Sequence, residues 1–375
     1  MSRRPRLLYV TRGITGHDAR FAGLLGRCFD VTCVTAARSR AQRSFLPAAT
    51  RLLCPRDFPP MNGPVSDRQA IRAVRRALTD TRPNLVIAGP VSSCAYWAAA
   101  AGARPLAALS WGSDLLPEGG FTGAEREAST YALERSALVV VDTRAGEVAA
   151  KSLANVPSAR IFRLPWGIDL GLYGRARPRR LRQRLGWRAK FVVVSARWWE
   201  CQYDIDIVVE GFRLFHSQVP QSRLLLVGTG SQAGAVRSQV ARAGLEGVVH
   251  MPGTLRGRVL RDALGSADAY ASASRSDGTS VTLLESMAIG LLPVVSDTVG
   301  NAEWVLNGVN GFTFAIGSPT ELCAGLLAAR SLNGQARAGM VATNRRLVQS
   351  LANWRRNSRA LLEACVQVAR KAGTL

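Results

Sequence analysis

The chain has 375 residues, 47% of them hydrophobic, with 35 Gly and 17 Pro scattered through it. It is too long for one ordinary core and too apolar for disorder, so two globular domains of roughly 150 to 200 residues are expected. A formal net charge of +23 demands an account, since such a chain adheres to acidic surfaces. The seven Cys are odd in number, widely spaced and without a C-x-x-C pair, and only three His exist. That pattern excludes a disulfide framework and a zinc site and suits a reducing cytoplasm.

In chain order, apolar strand-like runs alternate with helix-like stretches, the pattern of parallel α/β sheets. The first half supplies Leu7–Val10, Val31–Thr35, Leu85–Ala88, Leu106–Leu109, Leu138–Val141 and Ile161–Leu164. The second half supplies Phe191–Ser195, Arg223–Val227, Val248–Met251, Ala269–Ala271, Pro293–Ser296 and Phe312–Phe314. Two similar sets predict two doubly wound domains. Between them, Pro165-Trp166-Gly-Ile-Asp169 and the Pro- and Arg-rich piece to Pro178 break regular structure. No apolar run reaches the roughly 18 residues that span a bilayer, because Cys94–Leu109 is cut by Arg104 and Pro105. The basic N-terminus leads only into a short strand with no cleavage site behind it, so secretion is not expected.

The positive charge is uneven. Residues 1–80 hold 15 Arg against 5 acids, and Arg175–Arg188 adds seven more Arg. Such a surface reads as docking on an anionic membrane leaflet, here the inner face of the plasma membrane. Lys occurs only at 151, 190 and 371, so an Arg-for-Lys bias is the competing explanation. No zinc finger, RRM or aromatic-basic stacking segment points to nucleic acid.

The most informative stretch is Ser274-Arg-Ser-Asp277-Gly278-Thr279-Ser280-Val-Thr-Leu-Leu-Glu285-Ser-Met-Ala-Ile-Gly290-Leu-Leu-Pro293. Asp277 lies in a Gly/Ser/Thr cluster, and Thr282–Ala288 has the apolar spacing of a buried helix start. Asp277 then hangs among free backbone N–H groups at a helix N-terminus, with Glu285 more than a turn inside. Hydroxyls at both ends of a ligand and phosphate in its middle fit that arrangement, and a nucleotide sugar is such a ligand.

These residues resemble the acidic-pair motif of the family 4 retaining glycosyltransferases, a carboxylate followed by Glu and then a Met-Ala-x-Gly-x-Pro-Val-Val run. The resemblance implies the GT-B fold: two Rossmann-like domains facing each other across a cleft, with residues 1–168 binding the acceptor and 169–352 the nucleotide sugar. The helix 353–375 is expected to pack back on the first domain. By resemblance the first acid, here the shorter Asp277, holds sugar hydroxyls and Glu285 holds the ribose. Arg197 matches the Arg that grips the diphosphate, beside what reads as a pair of exposed aromatics, Trp198 and Trp199. The family places Lys six residues later, where this chain has Tyr203. A phenol brings no charge, so Arg197 is expected to act with the amides of Gly278, Thr279 and Ser280, or with Arg258 or Arg275 as substitutes. Gly228, Gly230 and the Met251-Pro-Gly253 turn are expected to line the donor site.

In the first half, Arg12-Gly13-Ile-Thr-Gly16-His17-Asp18 follows the first strand, and its glycines let backbone approach a phosphate or sugar. His17 and Asp18 are expected at the acceptor. Ser110-Trp111-Gly112-Ser113-Asp114 looks like the family's His-Gly-x-Asp segment with Trp111 at the His position, which leaves Asp114 as an acceptor contact. The activity implied is transfer of a sugar from a nucleoside diphosphate to a lipid-linked, polysaccharide or other glycan acceptor, with no cofactor and no metal expected. The alternatives are a sugar-nucleotide epimerase of the same fold and a catalytically silent relative. A more remote alternative is an NAD-dependent oxidoreductase, from Gly228-x-Gly230-x-x-Ala233 and Glu246; Glu246 falls before its strand, where a ribose-binding acid belongs after it.

Overall fold

The β-branched and Leu-rich runs pair into two sheets, one in each of two compact units. The computed structural model describes residues 4–36, 43, 45–56, 58–59, 66–174, 180–188 and 190–374; part of the Pro- and Arg-rich piece, 175–179, lies outside them. The first unit is Met1–Leu164 with Ser358–Leu375, and the second is Pro165–Asn357. The chain thus leaves the first unit four residues before the expected break. It returns inside the helix Trp354–Lys371.

The first unit holds β1 (Arg6–Val10), β2 (Asp30–Val34), β3 (Arg51–Leu53), β4 (Leu85–Ala88), β5 (Leu106–Leu109), β6 (Leu138–Val141) and β7 (Ile161–Arg163). They form one sheet in the order β3-β2-β1-β4-β5-β6-β7, parallel throughout. Both faces are covered, which is why β4, β5 and β6 are apolar at every position. Leu8, Val10, Val86, Ala88, Val139 and Val141 point into a core closed by Trp97, Ala73 and Val74. The C-terminus is fastened to this unit, since Thr374 Oγ1 donates to the Asn84 carbonyl at 2.8 Å.

The second unit holds β8 (Phe191–Ala196), β9 (Ser222–Val227), β10 (Val249–Gly253), β11 (Ala269–Ser272), β12 (Leu292–Ser296) and β13 (Phe312–Phe314). Their order is β10-β9-β8-β11-β12-β13, again parallel. One face packs Val193, Leu224 and Val294 against Phe212 and Phe215 of the helix Ile205–Gln218. The other packs Val192, Val194 and Val295 against Leu283, Leu284 and Met287 of the helix Val281–Ile289. The linker is tied within this unit: Ile168 N–H donates to Ala352 O at 2.8 Å, and Trp354 N–H to Ile168 O at 3.1 Å. In both sheets the chain reverses its direction of growth beside the first strand of the unit, between β1 and β4 and between β8 and β11. Ligands of open parallel sheets bind beyond the carboxyl ends of strands at such a reversal.

Candidate active site

The carboxyl end of β8 delivers Arg197, and the carboxyl end of its neighbour β11 delivers the loop 273–280. The two meet. One Nη of Arg197 donates to Ser280 Oγ at 2.6 Å, and the other pairs with Asp277 Oδ2. The Arg197 and Asp277 side chains are only 8% and 15% exposed. The Arg197 Nε–H is buried with no partner among the described residues. Burial raises the Asp277 carboxyl above its ordinary value, against the opposing pull of the Arg197 charge and the Gly278 N–H. Burial disfavours the Arg197 cation, but the Asp277 charge prevails and holds it protonated.

Tyr203 lies beneath this pair. Its ring centroid is 4.2 Å from Cζ of Arg197, a cation–π contact. The aromatic ring therefore supports the arginine and adds no second cation. Arg275 does not substitute either, because its Nε–H bonds Asp204 Oδ2 at 2.7 Å and its backbone N–H bonds Gln202 O at 2.9 Å. That pair straps the loop 273–280 to the turn Cys201–Tyr203. Arg258 is exposed on the first turn of the helix Gly257–Gly265.

Trp198 is 46% exposed, but Trp199 is fully buried in the core, contrary to its expected place on the surface. Its backbone explains this: Trp199 N–H donates to Thr229 O at 3.0 Å and Trp199 O accepts from Gln232 N–H at 2.9 Å. Gly228 has φ +140°, and a Cβ there would collide with the Arg197 carbonyl. At Gly230 a Cβ would strike the Trp199 carbonyl. Both glycines thus seat the Arg197 loop against the end of β9, a packing reason for the Gly-x-Gly spacing that needs no dinucleotide. Glu246, the acid such a reading requires, is exposed ahead of β10. Gly228 N–H donates to the Gly253 carbonyl at 3.0 Å, so the Met251–Gly253 segment borders the same strand ends.

Ser280 is the N-cap of the helix Val281–Ile289. Gly278, Thr279 and Ser280 are buried beside Asp277. On the helix, Val281, Thr282 and Glu285 are the partly exposed positions while Leu283, Leu284, Ser286 and Met287 are buried, so Glu285 lies on the open face one turn from the cap. One contributor lacks any signal in the acidic-pair motif. A Cβ at Gly300 would collide with the carbonyls of Asp277 and Gly278, so the capped turn Thr298–Ala302 buttresses the loop from behind. Its signal is the small residue after β12.

In the first unit, Asp18 and Asp114 both make bonds within the chain. Asp18 is 1% exposed. Its carboxylate completes a capping box with Thr15 at the start of the helix Gly16–Leu25, and it accepts from Tyr9 Oη–H at 3.0 Å. Burial raises its carboxyl above the ordinary value. Asp114 is engaged likewise, accepting from Val91 N–H at 2.6 Å and from Ser110 Oγ–H and Trp111 N–H at 2.8 Å each. Both acids hold loops together, Asp18 fully buried and Asp114 partly exposed. Gly13 and Gly16 form the turn between β1 and that helix. His17 packs its ring 5.8 Å from that of Trp111, which also meets Phe21 edge-on at 5.7 Å. Among the described residues no three His, Cys, Asp or Glu side chains converge as a cation site.

Residues 189–330, which contain every residue of the second-unit site, match the family model described as Glycosyl transferases group 1. The solved structure of Anabaena HepE in complex with UDP and glucose superposes with a TM-score of 0.80 at 19% identity, over 97% of this chain and 100% of that one. The fold is GT-B. Sucrose-phosphate synthase of Thermosynechococcus elongatus shares it with a TM-score of 0.81 at 14% identity, over 97% of this chain and 99% of that one. Among curated proteins, the GtfA subunit of the UDP-N-acetylglucosamine–peptide N-acetylglucosaminyltransferase of Streptococcus gordonii is 26% identical over 133 residues. That match covers 35% of this chain and 26% of the relative, so the chain spans about a quarter of it. In the GT-B frame the Arg197–Asp277–Ser280 cluster occupies the strand reversal of the C-terminal unit.

Proposed function

We propose that the protein is a retaining glycosyltransferase that takes a sugar from a nucleoside diphosphate, with the donor held on the second unit. One observation carries the reading: Arg197 and the loop Asp277–Ser280 project from adjacent strands, β8 and β11, at the reversal of a doubly wound sheet. As the glycosidic bond stretches, charge develops on the leaving diphosphate. A fork-shaped guanidinium with an unsatisfied Nε–H, amides at a helix start and a cap hydroxyl are donors suited to stabilise it. Asp277 then takes sugar hydroxyls, and Glu285, one turn along the open face of the helix, takes the ribose. UDP is the favoured base, since HepE binds UDP and the curated relative uses UDP-N-acetylglucosamine.

The acceptor is a lipid-linked or polysaccharide chain met at a membrane surface. No helix among the described residues is long and apolar enough to cross a membrane. The helix Asp67–Thr81 turns Ala70, Ala73, Val74 and Ala77 inward and exposes Arg68, Arg72, Arg75 and Arg76, a basic face suited to anionic headgroups. Incubation with a panel of UDP-, GDP- and dTDP-sugars, followed by mass spectrometry and NMR of the anomeric proton, tests the reading. The expected result is slow hydrolysis of one donor to the free nucleoside diphosphate, with the sugar first released in the donor's own anomeric configuration. An isomerised sugar nucleotide indicates an epimerase instead, and a thermal shift without turnover indicates a silent binder.

A further inference from the structure

Arg182 and Arg188, ahead of β8, have no part in the donor site and lie at the strand-start end of the second sheet. A cavity of about 410 Å³ opens there. Its walls come from the starts of strands: Phe191 opens β8, Gln221 precedes β9 and Asp268 precedes β11. Arg197, Gly228 and Asp277 follow the other ends of those same strands. Five cationic side chains line the cavity, Arg182, Arg188, Lys190, Arg330 and Arg337, against one carboxylate, Asp268.

That carboxylate is already neutralised. Arg182, 7% exposed, clamps it through both Nη groups at 3.2 and 2.8 Å, and the Val192 N–H adds a bond at 2.9 Å. Arg337 donates to the Asp268 carbonyl at 2.6 Å, and Lys190 Nζ to the Gln221 side-chain oxygen. Neither acceptor carries charge. Arg188, Lys190 and Arg330 form no ion pair among the described residues. Arg188, Lys190 and Arg330, close together without an ion pair among the described residues, cost self-repulsion that an anion relieves, and guanidinium forks match phosphate oxygens.

We infer that this cavity is a second anion site, separate from the donor site, that binds a multivalent phosphate anion between Arg188, Lys190, Arg330 and Arg337. Inorganic tripolyphosphate is the probe, with titration calorimetry on the full chain. Arg188 and Arg330 are exposed, so the Arg188→Glu/Arg330→Glu double variant folds and is expected to bind tripolyphosphate at least about tenfold more weakly. Arg197→Gln, altered only at the donor site, is expected to lose at most the donor-site component of tripolyphosphate binding and to keep the component that the double variant loses. Phosphatidic acid vesicles distinguish the natural source: weakened retention of the double variant assigns a lipid headgroup, and unchanged retention assigns a free anion. Absence of tripolyphosphate binding at millimolar concentration overturns the inference. So does equal affinity in the double variant, or loss in Arg197→Gln alone.

Discussion

At the scale of single residues, Arg197 sits at the centre of the account. It is paired with Asp277, bonded to Ser280 and stacked on Tyr203. Because the ring supplies its face and not its hydroxyl, Tyr203→Phe is expected to keep donor turnover near native, whereas Tyr203→Ala loses about tenfold, the size of a desolvated cation–π contact. Steady-state kinetics on the donor decides between them. Arg197→Gln removes the charge that opposes burial at Asp277 and leaves a buried carboxylate unpaired, a cost of about 3–5 kcal/mol. Titration of that carboxyl by NMR is expected to show it raised further above its ordinary value than in the native chain. The positions of Asp277, Glu285 and Arg197 in the fold were legible because they follow local spacing: a loop acid, a helix acid and a strand-end cation. Trp199 and Gly300 were not, since one is buried by its backbone bonds to the loop after β9 and the other by contact with a loop more than twenty residues back.

At the scale of elements, the acids of the first unit act as structural clasps. Asp18 accepts from Thr15 on one oxygen and Tyr9 on the other. Asparagine can keep both contacts, because its amide nitrogen can donate to the Tyr9 oxygen, while Asp18→Ala orphans the cap and is expected to cost about 1–3 kcal/mol in urea unfolding. The pH dependence has a definite sign. Burial holds the folded Asp18 carboxyl above its unfolded value, so its contribution is fully present below about pH 4 and is lost as pH rises through the folded pKa. Asp18→Asn is expected to flatten that fall, measured as urea midpoints at a series of pH values. Strand positions were readable because strands covered on both faces are continuously apolar. β3 escaped because Arg51–Leu53 is short, partly exposed and at the sheet edge. The bonds that Asp18 and Asp114 make within their loops were not legible, because sequence does not reveal that Tyr9, Val91 and Ser110 turn toward them.

At the scale of the whole molecule, alternation of strand and helix patterns gave two doubly wound sheets, and the chain divides at Leu164 and at Asn357. The excess of +23 is partly explained by two basic surfaces, the outer face of the helix Asp67–Thr81 and the rim of the strand-start cavity. Retention on anionic liposomes is expected to fade as salt rises through about 0.1 to 1 M, where the screening length falls from about 10 to 3 Å. Retention indifferent to salt and lipid charge returns the arginines to compositional bias. The central claim is that the second unit grips a nucleotide sugar between the end of β8 and the helix Val281–Ile289. Release of free nucleotide by the native chain and by Glu285→Ala, at matched melting temperature, tests it most directly. The account predicts turnover reduced by at least about a hundredfold in the variant; native-like release by Glu285→Ala would contradict it.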